Sequence, residues 1–492
     1  MKDLKEKTIR GGVARMGAQV ANFVLRIGSL MILARLLDPK DFGLVGMVTA
    51  FTGVLNLFRD FGLSTATVQR AEVTEDQIST LFWINLLVGA VLALLSVALA
   101  PGVAAFYHEP RLLWITAVLA TGFVFNAAGV QHSAILQREM RFTALAVINT
   151  IALVAGTVLA IGMAKYGYGY WALVAMTIAY PLVTTVGLWM TAAWMPGAPR
   201  RRSGLRSMIR FGGTITLNGA VMYVAYNFEK VLLGRFWGAE AIGVYGRAYQ
   251  LVNIPTDNLN SAVGEVAFSA LSRVQDDPPR LRSYFLKGYS LVTALTLPIT
   301  ILCALFAKEA ISILLGPKWT EAVPIFRLLA PTILIFAMIN PFSWLLFAMG
   351  KVGRSLKIAL VIAPLVIAGY VIGLPYGPTG VALGYSAAMA VWILPHIAWC
   401  VHGTPISFWD VLQTLSRPLL SGLAASALPL LIESSYGQLL SPLFRLIAGV
   451  ALFLGVYAVM LLYAMGQKAF YWNLVRGLRA SRTLDEKSLV PA

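Results

Sequence analysis

Apolar runs of about 20 residues recur from one end of this chain to the other, the length at which an α-helix crosses the hydrocarbon core of a bilayer. Lipid offers no hydrogen-bond partner, so each run must satisfy its peptide groups internally, which a continuous helix does. The composition agrees: 58% of the 492 residues are hydrophobic and 12% are charged, with a mean hydropathy of +0.74. No long polar stretch interrupts the pattern, which excludes a separate globular catalytic domain. The fold class predicted is an all-α polytopic membrane protein with fourteen transmembrane helices, in two parallel six-helix lobes plus a C-terminal helix pair.

Six runs lie in the first 195 residues, near 12–35, 42–61, 79–101, 111–133, 143–164 and 170–194. The stretch PGAPRRRSGLRSMIR, 196–210, is the most basic of the chain and carries Gly and Pro breakers, so it reads as a cytoplasmic linker. Six more runs fill the C-lobe, 211–402, near 211–233, 241–263, 285–307, 323–349, 357–375 and 379–401. Residues 403–466 hold an interfacial segment and the last two spans, near 416–432 and 442–465, and 467–492 form a tail. Within the interfacial segment Phe408, Trp409, Leu412 and Leu415 recur on a helical period; a short helix on the membrane surface and an ordinary loop both fit. Fourteen spans put both termini on one side. Lys and Arg gather in alternate loops and at both ends, which makes that side cytoplasmic.

The net charge of +17 is therefore spread along one membrane face, which suits anionic lipid headgroups and excludes a nucleic-acid partner. Cys303 and Cys400 lie inside apolar runs and read as small hydrophobes, and the four histidines show no metal-binding spacing. GKVGRS, 350–355, lacks the spacing of a phosphate-binding loop. GYGYWA, 167–172, matches a dinucleotide-binding string but opens a membrane helix instead of following a strand. No cofactor is expected, and energy is expected from a proton or sodium gradient or from a partner.

The chain repeats itself. ARLLDPKDFGLVG, 34–46, aligns without a gap on GRFWGAEAIGVYG, 234–246, matching Arg35 with Arg235, Gly43 with Gly243 and Gly46 with Gly246. YGYGYWAL, 166–173, resembles YGPTGVAL, 376–383. Six spans per copy is an even number, so the copies enter the membrane in the same orientation, as repeats related by an axis along the membrane normal do.

Polar side chains inside the spans mark the cavity candidates. Arg15, Gln19, Asn22 and Arg26 lie on one face of the first helix, since offsets of 0, 4, 7 and 11 return to the same side at about 100° per residue. Arg15 either faces a cavity or snorkels to the headgroups, whereas Arg26 is deep. At the matching place in the second copy stand Tyr223, Asn227 and Lys230 beside Glu229, for which a local ion pair is the rival role. Asn56 and Asp60 lie on the second span, and Arg247 and Asp257 on the eighth, where Pro255 is placed to kink the helix. The substrate-binding set is Arg26, Arg15, Asn22, Gln19, Asn56, Tyr223, Asn227, Lys230 and Arg247. Asp257, Asp60 and Glu229 are the coupling-ion candidates.

ARLLDPKDFGLVGM, FRDFGLSTATVQR, TLFWINLL, LQREMRF and GYGYWALV, in that order and spacing, resemble the Wzx-type lipopolysaccharide and exopolysaccharide flippases of the WzxC subgroup, within the multidrug/oligosaccharidyl-lipid/polysaccharide exporter superfamily. The resemblance implies a carrier that moves undecaprenyl-diphosphate-linked oligosaccharide repeat units from the cytoplasmic to the periplasmic leaflet of a bacterial inner membrane. It implies a polymerase and a chain-length regulator as further partners. A diphosphate is anionic, and Arg26, Arg15 and Lys230 supply complementary charge, while amide and phenol groups suit sugars. Two rivals are a drug or small-metabolite exporter of the same superfamily, which calls for an aromatic or acidic cavity, and a membrane glycan polymerase or glycosyltransferase, which calls for a long external loop with carboxylates. The longest external connection expected is about 307–323.

Overall fold

The computed structural model describes residues 21–59, 67, 73–199, 206–436 and 442–472, with backbone only at 206–220, 259, 261–262, 265–266, 352, 429, 431–436 and 442–443. Over these residues each of the fourteen apolar runs falls on helix. In chain order the helices are α1 (21–36), α2 (Pro39–Leu57), α3 (Glu75–Tyr107), α4 (Arg111–Arg138), α5 (Phe142–Lys165) and α6 (Tyr170–Ala192). A 68-residue helical stretch, Arg206–Arg273, leaves helical dihedrals at Gly238 (φ 83°, ψ −174°) and is two helices, α7 (206–237) and α8 (239–273). Then come α9 (Pro278–Leu305), the short α10 (Ala307–Leu314), α11 (Ala322–Leu329), α12 (Pro331–Ala348), α13 (Val352–Gly373), α14 (Gly377–Val401), α15 (Phe408–Tyr436) and α16 (Pro442–Val459). Among the described residues eight helical stretches are long and apolar enough to cross a membrane, one of them, Gly353–Val401, being α13 and α14 joined. The helices that fall short include α7 and α8, because they carry the intramembrane polar residues.

Local chemistry sets the helix ends. Thr74 and Gln77 form a reciprocal capping box at the start of α3, with backbone-to-side-chain bonds of 3.3 and 3.1 Å. Asp277 accepts from the Arg280 N–H at 3.1 Å and Pro278 occupies the first position of α9. The basic loop residues expected on the cytoplasmic face also cap helix C-termini. At the start of α5 Arg141 donates to the Thr191 carbonyl at 3.1 Å, at the end of α6. At the matching place in the second copy, Arg354 donates to the carbonyl of His402 at 2.6 Å and Lys351 to that of Gly403 at 2.5 Å, just beyond α14. Cations there neutralise the orphan carbonyls and the negative end of the dipole. The second repeated motif is visible in the backbone as well: Gly167 and Gly377 hold positive φ of 81° and 71° at aligned positions. GYGYWA accordingly makes the turn that opens α6.

Several expectations need correction. The third span continues through Pro101 to Tyr107, well past residue 101, and stops where His108 turns left-handed. Residues from Phe408 onward do not form a separate interfacial helix; they are the first turns of α15, which runs through Pro418 and Gly422 to Tyr436. Pro255 lies inside α8 in helical dihedrals, and the chain leaves them only at Gly238 within this stretch. The connection 307–323, expected to be external, is structured, with α10 and a tight 3₁₀ turn, Pro317–Trp319.

By packing, the described chain divides into two units: one holds the residues up to Arg247 with Leu314–Ala322 and Ala359–Tyr385, the other Ala248–Ile313, Val323–Ile358 and the described residues from Ser386 onward. This division differs from the repeat boundary, since α7 packs with the first six helices. In the first unit a cluster of rings holds α3, α4 and the end of α6: His132 stacks on Trp189 at 4.6 Å and meets Trp194 edge-on. In the second, α9, α15 and α16 share a core of Leu297, Ala425, Phe453 and Tyr457, pinned by the Tyr457 hydroxyl on the Ala294 carbonyl at 2.9 Å.

Candidate functional site

In the first unit α1 runs parallel to α5 through two polar contacts two turns apart. Thr150 donates to the Asn22 side-chain oxygen at 3.2 Å, and Thr157 donates to Ser29 at 3.3 Å. Asn22 is thus engaged with a neighbouring helix. Arg26, one turn on, is exposed and makes no hydrogen bond or ion pair among the described residues. Among the described residues nothing occupies its guanidinium, which can receive an anion. Arg15, Gln19 and Asp60 lie outside the described residues. Asn56 is exposed and folds back onto the Thr52 carbonyl at 3.2 Å, and Asp257 is exposed on α8.

Helix α7 brings the second group of candidates together. The Tyr223 hydroxyl donates to the Thr49 carbonyl on α2 at 3.1 Å, the Asn227 amide donates to the Tyr223 carbonyl at 2.9 Å, and the Lys230 ammonium donates to Asn227 Oδ1 at 2.7 Å. The spacing of three and four residues makes this chain possible, because such positions are neighbours on a helix surface. Tyr223 and Asn227 also line a largely apolar cavity of about 370 Å³, walled by Phe51 and Leu55 of α2, Leu99 and Val103 of α3.

Next to Lys230, Glu229 is fully buried, and both its carboxylate oxygens lack a hydrogen-bond partner among the described residues. Tyr107, Tyr223 and Lys230 lie within electrostatic range of it. The Tyr107 hydroxyl is likewise buried and unpartnered. Arg247, in electrostatic range of Lys230, is half-buried, its Nε sealed from solvent without a partner and its guanidinium 4.6 Å from the centre of the Phe42 ring. A polar atom buried without a partner costs about 1–3 kcal/mol, more when charged, so such a concentration in one helical region is a functional signature. Among the described residues no three His, Cys, Asp or Glu side chains gather as a metal site.

Sequence reasoning missed Tyr107 and Phe42. Tyr107 lay past the expected end of its span, and a lone aromatic in an apolar run carries no signal of the cation above it. Arg327, on α11, is exposed and donates to the Ala304 carbonyl at 3.1 Å.

Similarity to known proteins follows the same lines. The chain is 28% identical over 389 residues to the lipopolysaccharide biosynthesis protein WzxC of Escherichia coli (strain K12), covering 78% of each chain. It is 24% identical to the succinoglycan biosynthesis transport protein ExoT of Rhizobium meliloti (strain 1021), covering 90% of each. Among solved structures, that of the lipid II flippase MurJ in an inward closed conformation superposes with a TM-score of 0.74 at 14% identity, covering 94% of this chain and all of the other. The two chains thus share one helical fold. Residues 32–324, more than half of the chain, match the family described as "Polysaccharide biosynthesis protein", and the chain belongs to that family.

Proposed function

We propose that the protein is a flippase that moves undecaprenyl-diphosphate-linked oligosaccharide repeat units from the cytoplasmic to the periplasmic leaflet of a bacterial inner membrane, by alternating access. The observation that carries this reading is the similarity to proteins named for lipopolysaccharide biosynthesis and succinoglycan transport over 78% and 90% of the chain. The site chemistry supports it. Arg26 offers an unpaired guanidinium to a diphosphate, Lys230 and Arg247 add positive charge, and the apolar cavity beside Tyr223 suits a hydrocarbon chain. Both termini face the cytoplasm in this reading, as the basic loops direct. A polymerase and a chain-length regulator receive the product.

The test is genetic and chemical. A deletion strain is expected to accumulate lipid-linked repeat units inside, and the intact gene to clear them. Arg26→Ala is expected to stop export while the protein stays in the membrane, with Arg26→Lys restoring it only in part. Full export by a well-expressed Arg26→Ala rules Arg26 out as the diphosphate site.

Glu229 is the coupling site in this proposal, since it is the carboxylate buried without a partner; Asp257 is exposed. Glu229→Gln is expected to leave transport insensitive to collapse of the proton or sodium gradient. Transport by the variant that still falls on collapse of the gradient removes Glu229 from that role.

A further inference from the structure

At the end of the second unit where α9 and α15 begin, the residues after α16 close a cleft of about 320 Å³. Two cations line it, Lys287 on α9 and Arg417 on α15, both exposed and neither in a hydrogen bond or ion pair among the described residues. The acid beside them is spent. Asp410 takes both donors of the Arg282 fork at 2.8 and 2.6 Å and a third from the Ser407 N–H at 2.9 Å, and the Arg282 guanidinium holds its carboxyl below the usual range. Among the described residues Lys287 and Arg417 are therefore uncompensated.

The remaining walls divide by polarity. Gln413, Thr414 and Gln467 supply amides and a hydroxyl, and Ser290 and Tyr471 add hydroxyls that bond each other at 3.2 Å. Leu286, Leu461 and Phe470 line the apolar part. Trp409, on the first turn of α15, and Tyr284, on α9, are exposed, as aromatic rings at a headgroup boundary are. A cleft with fixed positive charge, neutral donors and an apolar wall fits a phosphate ester that carries a hydrocarbon tail. Its volume is that of about ten waters, room for a phosphodiester with its glycerol.

We infer that this cleft binds the phosphate-bearing headgroup of an anionic membrane lipid, on the membrane face that the basic loops mark. The lining of this cleft includes neither Arg26 nor Lys230, and the inference does not depend on what the protein transports. Lys287 and Arg417 hold the phosphate oxygens, the Gln413 amide donates to an ester oxygen, Thr414, whose own proton goes to the Asp410 carbonyl at 2.7 Å, accepts from a glycerol hydroxyl, and the acyl chains lie past Leu461 and Phe470.

The experiment titrates the purified full-length protein, stripped of lipid, with phosphatidylglycerol or phosphatidylcholine and counts bound lipid by native mass spectrometry. Lys287→Gln combined with Arg417→Gln is expected to weaken phosphatidylglycerol binding about tenfold and to leave phosphatidylcholine unchanged. Removing the same charge elsewhere, by Arg273→Gln with Lys357→Gln, is expected to have little effect. Unchanged phosphatidylglycerol binding in the first pair, or an equal loss in the control pair, overturns the assignment. Inorganic phosphate is the other arm: displacement of the lipid by equimolar phosphate makes free phosphate the ligand and overturns the lipid reading. Should the double variant fail to fold, Arg417→Gln alone makes the same comparison, with about a threefold loss expected.

Discussion

Residues 34–46 and 234–246 are copies of one motif, and both form a corner between two helices, yet the corners are built from different chemistry. In the first, the Asp41 carboxylate accepts the Asp38 N–H at 3.2 Å and Pro39 starts α2. In the second, Gly238 turns the chain with a φ of 83° and a ψ of −174°, a region that glycine alone occupies readily. The first corner is also clamped by a distant segment: the buried Trp319 donates its indole N–H to the Ala34 carbonyl at 2.8 Å and meets Phe42 edge-on at 5.4 Å, while Lys318 pairs with Asp38 at 2.7 Å. The second corner instead reaches outward, with Arg235 on His108 at 2.7 Å and Trp237 on the Leu374 carbonyl at 2.9 Å.

What the copies share is their contact with each other. A Cβ on Gly43 would overlap the Ala239 carbonyl, and a Cβ on Gly243 would overlap the Pro39 carbonyl, the equivalent residues exchanged. Helices α2 and α8 thus cross backbone to backbone about a local pseudo-twofold, as small residues allow in membranes. A repeat can vary its turns freely, because many chemistries make a corner. The residues at the crossing cannot vary, because each faces the other copy.

The largest effect is expected there. Gly43→Leu or Gly243→Leu forces the crossing apart at a cost of about 3 kcal/mol or more, since a carbonyl cannot step aside as a flexible side chain does. Thermal melts in detergent are expected to fall by similar amounts for both, whereas Gly246→Ala, whose Cβ meets nothing, is expected to behave as wild type. Unequal losses at Gly43 and Gly243 break the pseudo-twofold reading. Next, Trp319→Ala removes a fully buried ring and an indole bond, at about 3–5 kcal/mol, and is expected to raise proteolysis at the first corner and not at the second. The smallest effects sharpen the contrast between turns. Gly238→Ala is expected to cost about 1–3 kcal/mol from strained φ, and Asp41→Ala about 1 kcal/mol from a lost cap, so the melts should rank in that order.

The membrane class, the helical runs and the repeat were all legible in the residues, because apolar length and periodicity are local properties. Candidate cavity residues were legible as polar positions inside apolar helices, and Tyr223, Asn227 and Lys230 do form one connected chain on α7. Their roles were less legible. Asn22 lies on the same predicted face as Arg26, yet it bonds Thr150 while Arg26 is left free, a distinction that depends on where α5 packs. The extension of α3 to Tyr107 runs through Pro101, which a long apolar helix tolerates.

By itself, then, the sequence determined that this chain crosses a membrane many times as two copies of a helical pattern, since the hydrocarbon leaves a long apolar run no other stable state. Only the tertiary structure decided which polar groups remain unpaired. Glu229, Tyr107 and Arg26 owe that condition to neighbours remote in the chain, and so does the close approach of Gly43 to Gly243. A residue type states what a side chain can bond, whereas packing decides whether a partner is within reach.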